Sequence, residues 1–329
     1  MFAVWRVQVV QGYKKGLLMM KKCSMGKSFF LVSLLLIIFL WSCSNNKTKD
    51  IIQYDTPKSG TINISVDESF EPVISEEIKV YESSYPGTKI IASYKSEADC
   101  FRDLQQDSTR MIIVAKGLTR EESTFFESKI SYKPQFGILA YDAVSVIINV
   151  NATDSIFTVA QIKDKLSGKD TLGYIVLDGK SATSTVRFLI DSVLKGAAPG
   201  KNVMAANGSK AVVDYVSKNE HAIGFVGSSW VTNDQDPEQV AYQKKIRFAL
   251  MECKYNCDSG SFAKPSQATI TYAQYPLVRP LYYILKENST GLGSGFTNFL
   301  NLERGQLIFR RSYLVPATMY FGVRTGSVQ

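Results

Sequence analysis

Apolar and polar positions in this chain alternate between two periods in a regular order. "TINISV" (61–66) alternates every second residue, as a strand with one buried face does. "SFEPVISEEIKVYESSYPG" follows, with Pro72 at a helix start and Ile74, Ile78, Tyr81 and Tyr85 on one helical face before Pro86 and Gly87 stop it. "TKIIASY" reads as a second strand, "EADCFRDLQQ" as a second helix and "RMIIVA" as a third strand. This β-α-β-α-β order predicts a parallel sheet. "FGILAYDAVSVIINVN" (136–151) is one long β-rich run. "TLGYIVLD", a helix after it, "KNVMAA", a short helix from Ser209 to Lys218 and "AIGFVG" repeat the alternation. "PLYYILKE" (280–287) is again strand-like, and "GSGFTNFLNLERGQLIFRRS" predicts one last amphipathic helix through Phe296, Phe299, Leu300, Leu307 and Ile308. Two α/β units joined by long β runs imply an α/β chain of two lobes with a cleft between them.

In open α/β sheets ligands bind at the carboxyl ends of strands, so the strand-to-helix turns matter most. They fall at 66–70, 93–98, 114–118 and 181–185. Three of them offer hydroxyls at or just before a helix start: Ser69, Ser96 and the group Thr183, Ser184, Thr185. The turn at 114–118 offers Lys116 instead. Free N–H groups and the positive end of the helix dipole make such termini anion sites. Gly179-Lys180-Ser181 is not a nucleotide P-loop. The second glycine must lie five residues before Gly179, and that position is Tyr174.

Length and charge narrow the picture. The 329 residues include 38 Lys/Arg and 30 Asp/Glu, a formal net charge of +8. Residues 1–28 hold Arg6, Lys14, Lys15, Lys21, Lys22 and Lys27 and no acid, and "FFLVSLLLIIFLW" (29–41) follows as an apolar run. This reads as a signal peptide over 1–42 rather than a membrane span, with Met20 or Met25 as possible starts. Beyond it the chain is near +2, which gives no support for nucleic-acid binding. "LWSC" resembles a bacterial lipobox, so Cys43 is the expected lipidation site, anchoring the protein to a membrane facing the periplasm. Residues 43–59 read as a tether. Cys253 and Cys257 in "ECKYNCDSG" are close enough for a small-loop disulfide, and Cys100 is left over. With His221 the only histidine and no second cysteine pair, neither a metal site nor a cofactor is expected.

Five segments in order carry a resemblance: "IVAKGLTREE", "SATSTVRFLIDSVLKG", "NGSKAVVDYVSKNEHAIGFVGSSWV", "YPLVRPLYYI" and "GLGSGFTNFLNLERGQLIFRRSYLVPATM". Over about residues 60–325 the chain resembles the phosphate-binding subunits of bacterial ABC importers, type II periplasmic binding proteins, and most of all their lipoprotein forms in Bacteroidota. The resemblance implies lobe one from 60–148 and 280–329, lobe two from 149–279, and hinge movement near 148 and 279. It implies phosphate or a related tetrahedral oxyanion as ligand and an ABC permease as partner. The matching positions are Ser69 with Phe70, Ser96, and Thr183, Ser184 and Thr185, with Arg187 two residues on as the arginine fork. Two departures stand out. The family's aspartate after the third strand is replaced by Lys116, so repulsion there does not exclude sulfate, and Arg187 follows the hydroxyl turn instead of preceding it. A sensor or scavenger without its own transporter is the alternative. A serine hydrolase is disfavoured, because Ser192-x-x-Lys195 lies mid-helix and lacks partner motifs.

Overall fold

A computed structural model describes residues 55–180 and 182–319. The signal peptide, Cys43 and most of the tether lie outside the described residues. The main sheet has ten strands among them. Lobe one contributes β1 (Ser59–Asp67), β2 (Gly87–Lys95) and β3 (Thr109–Val114). The long β4 (Gln135–Asn149) runs on into lobe two, which adds β5 (Tyr174–Leu177), β6 (Val203–Ala205) and β7 (Ala222–Gly227). The chain returns along β8 (Val278–Leu285), giving the spatial order β2-β1-β3-β8-β4-β7-β5-β6. Within each lobe the outer strands pair in parallel, as β-α-β order requires. β4 pairs antiparallel with β8 in lobe one and with β7 in lobe two, so a single strand passes through both.

The apolar periods account for the cores. One cluster joins Ile62, Ile64, Phe70, Ile74, Tyr81, Leu139 and Ala140 with Leu281, Phe296 and Leu314. The second begins at Ala143 and Val144 on β4 and includes Val186, Leu189, Phe225 and Tyr275. The change from one core to the other falls between Ala140 and Ala143 on β4, and Asp142 lies between them.

Helix α1 (Glu71–Ser84) starts with proline in its first turn and buries Val73, Ile74, Ile78 and Tyr81. Helix α2 (Glu97–Leu104) follows β2, α3 (Ser184–Leu189) follows β5 and continues as a π turn over Ile190–Leu194, and α4 (Ser209–Lys218) precedes β7. The single last helix expected from the sequence is two: α5 (Leu292–Asn301) and α6 (Glu303–Arg311), broken at the extended Leu302. Gly305 explains the break, since a Cβ there would lie 2.5 Å from the Phe299 carbonyl oxygen, so the second helix folds back onto the first. Gln306 then donates to the Leu300 carbonyl at the break and to the Leu139 carbonyl on β4, tying the last helix to the sheet. A disulfide joins Cys253 and Cys257, whose Cα atoms are 6.4 Å apart, and Cys100 is a buried free thiol.

Candidate functional site

Two turns and a strand bring polar groups to one buried point between the lobes. β1 ends at Asp67, and the short helical turn Glu68–Phe70 follows at once, which buries Ser69 and Phe70. From lobe two, Thr183 caps α3 and donates to Asp178 Oδ1 at 2.6 Å, while Ser184 and Thr185 open the helix, both fully buried. Gly179 allows this tight turn, because a Cβ there would lie 2.7 Å from Thr183 Cγ2. The Ser69 hydroxyl lies 3.4 Å from both the Ser184 and Thr185 hydroxyls, across the two lobes.

The third contributor is Arg279 on β8. It stands directly opposite Asp142 in the antiparallel register of β8 and β4. Its Nε and Nη2 donate to Asp142 Oδ2 at 3.1 and 3.0 Å, and its Nη1 donates to Ser184 Oγ at 2.9 Å and Thr185 Oγ1 at 3.3 Å. The Ser228 N–H donates to Asp142 Oδ1 at 3.1 Å. Arg279 is 1 % exposed and Asp142 0 %, so neither charge could stay buried without the other. The Phe70 ring lies under the guanidinium, 4.8 Å from its centroid. Gly227 leaves the room for the pair. A Cβ there would come within 3.1 Å of Arg279 Nη2 and 2.9 Å of the Ser69 carbonyl oxygen.

Asp67 completes the cluster. Its Oδ1 accepts from the Ser69 N–H at 2.9 Å, and its Oδ2 is buried without a hydrogen-bond partner among the described residues. Burial, with Glu97 adding to it, pushes this carboxyl up to about 6 against the pull of Arg279, Ser184 and the Ser69 N–H. The arrangement is therefore three hydroxyls, one half-committed guanidinium and a bare carboxyl oxygen beside the starts of two helical turns. Such a set can solvate a small anion and can accept one proton from it.

The sequence-predicted residues divide into two groups. Ser69, Phe70, Ser184 and Thr185 meet at this point, with Thr183 supporting them from behind. Ser96, Lys116 and Arg187 are turned to other partners. Ser96 caps α2, accepting from the Asp99 N–H and donating to Asp99 Oδ2. Lys116 Nζ lies 2.9 Å from Glu122 and over the Phe101 ring. Arg187 Nε donates to the buried Glu97, and Nη2 donates to Glu97 Oε2 at 3.2 Å and to the Ala115 carbonyl at 3.3 Å. The arginine of the cluster is thus Arg279 rather than Arg187, and the carboxylate comes from the end of β1 rather than from after β3. Two of the missed charges had a signal. Asp142 and Arg279 are single charges within the apolar runs "ILAYDAVSV" and "PLVRPLYYI", and a charge on a buried strand needs a partner.

Residues 53–303 match the family model described as a PBP superfamily domain. The chain belongs to the PBP superfamily. Among relatives of this superfamily member, the phosphate-binding protein PstS of Staphylococcus epidermidis is 23% identical over 252 residues, 71% of this chain and 72% of that protein. Two solved structures share the PBP architecture. One is a substrate-binding protein ascribed to a phosphate ABC transporter of Clostridium perfringens, solved with phosphate bound (TM-score 0.65, 20% identity, 78% of this chain and 100% of that one). The other is an ABC-type phosphate transport receptor from Vibrio cholerae (TM-score 0.57, 16% identity, 78% and 100% covered). The fold is the two-lobe α/β fold of type II periplasmic binding proteins, with its cleft between the lobes, and the relatives are named as binding and transport proteins, not enzymes.

Proposed function

We propose that this protein captures phosphate, or a closely related tetrahedral oxyanion, in the periplasm and delivers it to an ABC permease. One observation carries the reading: the Ser69 hydroxyl of lobe one meets the Ser184 and Thr185 hydroxyls of lobe two, which in turn receive a single buried arginine that a carboxylate holds from the other side. Asp142 neutralises the charge of Arg279 while leaving Nη1 aimed at the hydroxyls. An oxyanion held there receives Nη1–H, the Ser69, Ser184 and Thr185 hydroxyls, and the Ser184 and Thr185 amides, which have no acceptor within their own helix. Asp67 Oδ2 accepts the proton of hydrogen phosphate. Since the donors come from opposite lobes, the anion favours the closed form, and no covalent step is involved.

In this reading the signal peptide over 1–42 directs export, and Cys43 carries the lipid that holds the protein at the membrane. The binding unit then comprises 60–148 with 280–329 as lobe one and 149–279 as lobe two, moving about the strands near 148 and 279. The test is calorimetric titration with inorganic phosphate of the wild type and of the double variant Ser184→Ala, Thr185→Ala. The variant is expected to bind about 100-fold more weakly, two lost hydrogen bonds to an ion. Affinity within a factor of two of the wild type would put the cradle elsewhere.

A further inference from the structure

Glu68 adjoins the cradle without belonging to it. It comes from lobe one, on the turn that carries Asp67 and Ser69, and its carboxyl reaches the start of α4 in lobe two. The Ser209 N–H donates to both of its oxygens at 3.2 Å, and the Ser209 hydroxyl donates to Oε1 at 3.0 Å. Helix α4 has no capping side chain of its own, because the residue before Ser209 is Gly208, with φ of 87°. Even a Cβ at Gly208 would lie 3.5 Å from Glu68 Oε2. Glu68 is therefore the cap of this helix, supplied across the cleft by the opposite lobe.

A second observation concerns what faces that cap. Asp178, at the end of β5 in lobe two, has Oδ1 taken by Thr183 and Oδ2 buried with no partner among the described residues. Asp178 repels the Glu68 carboxyl, and burial and this repulsion together push Glu68 up to about 8, with Asp67 adding a little and Ser209 opposing. Asp178 is itself raised by burial, although Thr183, Thr185 and Arg279 pull it down. The neighbouring charge on α4, Lys210, is engaged by Glu238 and Tyr242 and does not neutralise the pair.

We infer that Glu68 is a closing group of the two lobes: it docks on the start of α4 when the lobes meet, and it brings one proton into the closed form. This rests on the oxyanion-binding reading, which supplies the lobe movement. Glu68 is a positioning residue, since it acts on the fraction of molecules that are closed and not on the anion itself. The sign follows from linkage. A glutamate exposed in the open form titrates near about 4.3, and closure raises it, so closing takes up a proton between there and about 8. The closed form is best supported at the low end of that window and loses support as pH rises through it.

The experiment uses the purified protein, Glu68→Gln and Glu68→Ala. Small-angle scattering without phosphate, from about pH 5 to about pH 9, reads closure directly. Phosphate calorimetry near pH 7, in two buffers of different ionisation heat, reads proton uptake. The wild type is expected to expand as pH rises, and Glu68→Gln, which keeps the shape and an acceptor for Ser209, to lose that pH dependence and take up roughly one proton less. Glu68→Ala is expected to bind phosphate roughly tenfold more weakly, the size of a lost cap. Unchanged pH dependence and uptake in Glu68→Gln would overturn the inference, as would wild-type scattering and affinity in Glu68→Ala. Failure of phosphate to bind the wild type would remove the oxyanion reading alone, and the scattering series would still decide the role of Glu68.

Discussion

Replacing Asp67 by asparagine tests how the site distinguishes anions. Asp67 Oδ2 is a bare, buried acceptor among the described residues, on the turn that carries Ser69. Hydrogen phosphate has a proton to give it, whereas sulfate at neutral pH has none and meets it oxygen to oxygen. Sulfate therefore binds only when Asp67 itself carries a proton. That carboxyl sits at about 6, raised chiefly by burial. The sulfate complex, which requires the protonated form, is supported below that value and is lost as pH rises through it. From pH 5 to pH 8 the apparent sulfate affinity should fall about 100-fold, or about 2.7 kcal/mol. In Asp67→Asn the amide cannot ionise and can turn an N–H toward the anion, so the part of the sulfate pH dependence set by Asp67 should disappear, leaving only that of lobe closure through Glu68, while phosphate binding weakens about tenfold. The assay is direct calorimetric titration with sulfate at several pH values on both proteins. Sulfate binding by the wild type that is equally strong at pH 8 and pH 5, or a variant with the wild-type profile, would refute the role given to Asp67.

Other outcomes follow from the same geometry. Arg279→Met leaves Asp142 as an unpaired charge in the core and should cost about 3–5 kcal/mol of stability in urea unfolding, with phosphate binding abolished. Gly227→Ala drives a methyl against Arg279 and the Ser69 carbonyl, and should lower stability by about 1–3 kcal/mol and weaken phosphate binding, read by thermal unfolding with and without phosphate. Lys116→Gln should leave phosphate affinity within about threefold, as its ammonium is paired with Glu122 at partial exposure. Replacing Cys253 and Cys257 by serine opens a five-residue loop and should cost at most about 2 kcal/mol with no change in affinity.

Much of the scaffold was legible because it follows from local period. The alternation in "TINISV", the length of "FGILAYDAVSVIINVN" and the helix over 209–218 all correspond to elements at nearly those residues. The hydroxyls Ser69, Ser184 and Thr185 were legible for the same reason: each sits where a strand gives way to a helix. The charges were not, because their partners lie far apart in sequence. Arg187 is the arginine nearest the hydroxyl turn, yet one helical turn on from Ser184 it meets Glu97, 90 residues away. Arg279 reaches the same hydroxyls only because β8 lies beside β4 in a register that sets it opposite Asp142, and a lone sequence does not state that register. Asp67 reads along the chain as the end of a strand, and its function depends on what the second lobe sets against it.

The most direct measurement is a crystal structure grown with arsenate, a tetrahedral analogue of phosphate that can be located by its anomalous scattering. The account predicts one strong peak between the lobes, with anion oxygens at about 2.7–3.2 Å from Arg279 Nη1 and from the hydroxyls of Ser69, Ser184 and Thr185, and one of them against Asp67. A peak beside Lys116 and Arg187, or no peak in the cleft at saturating arsenate, would contradict it.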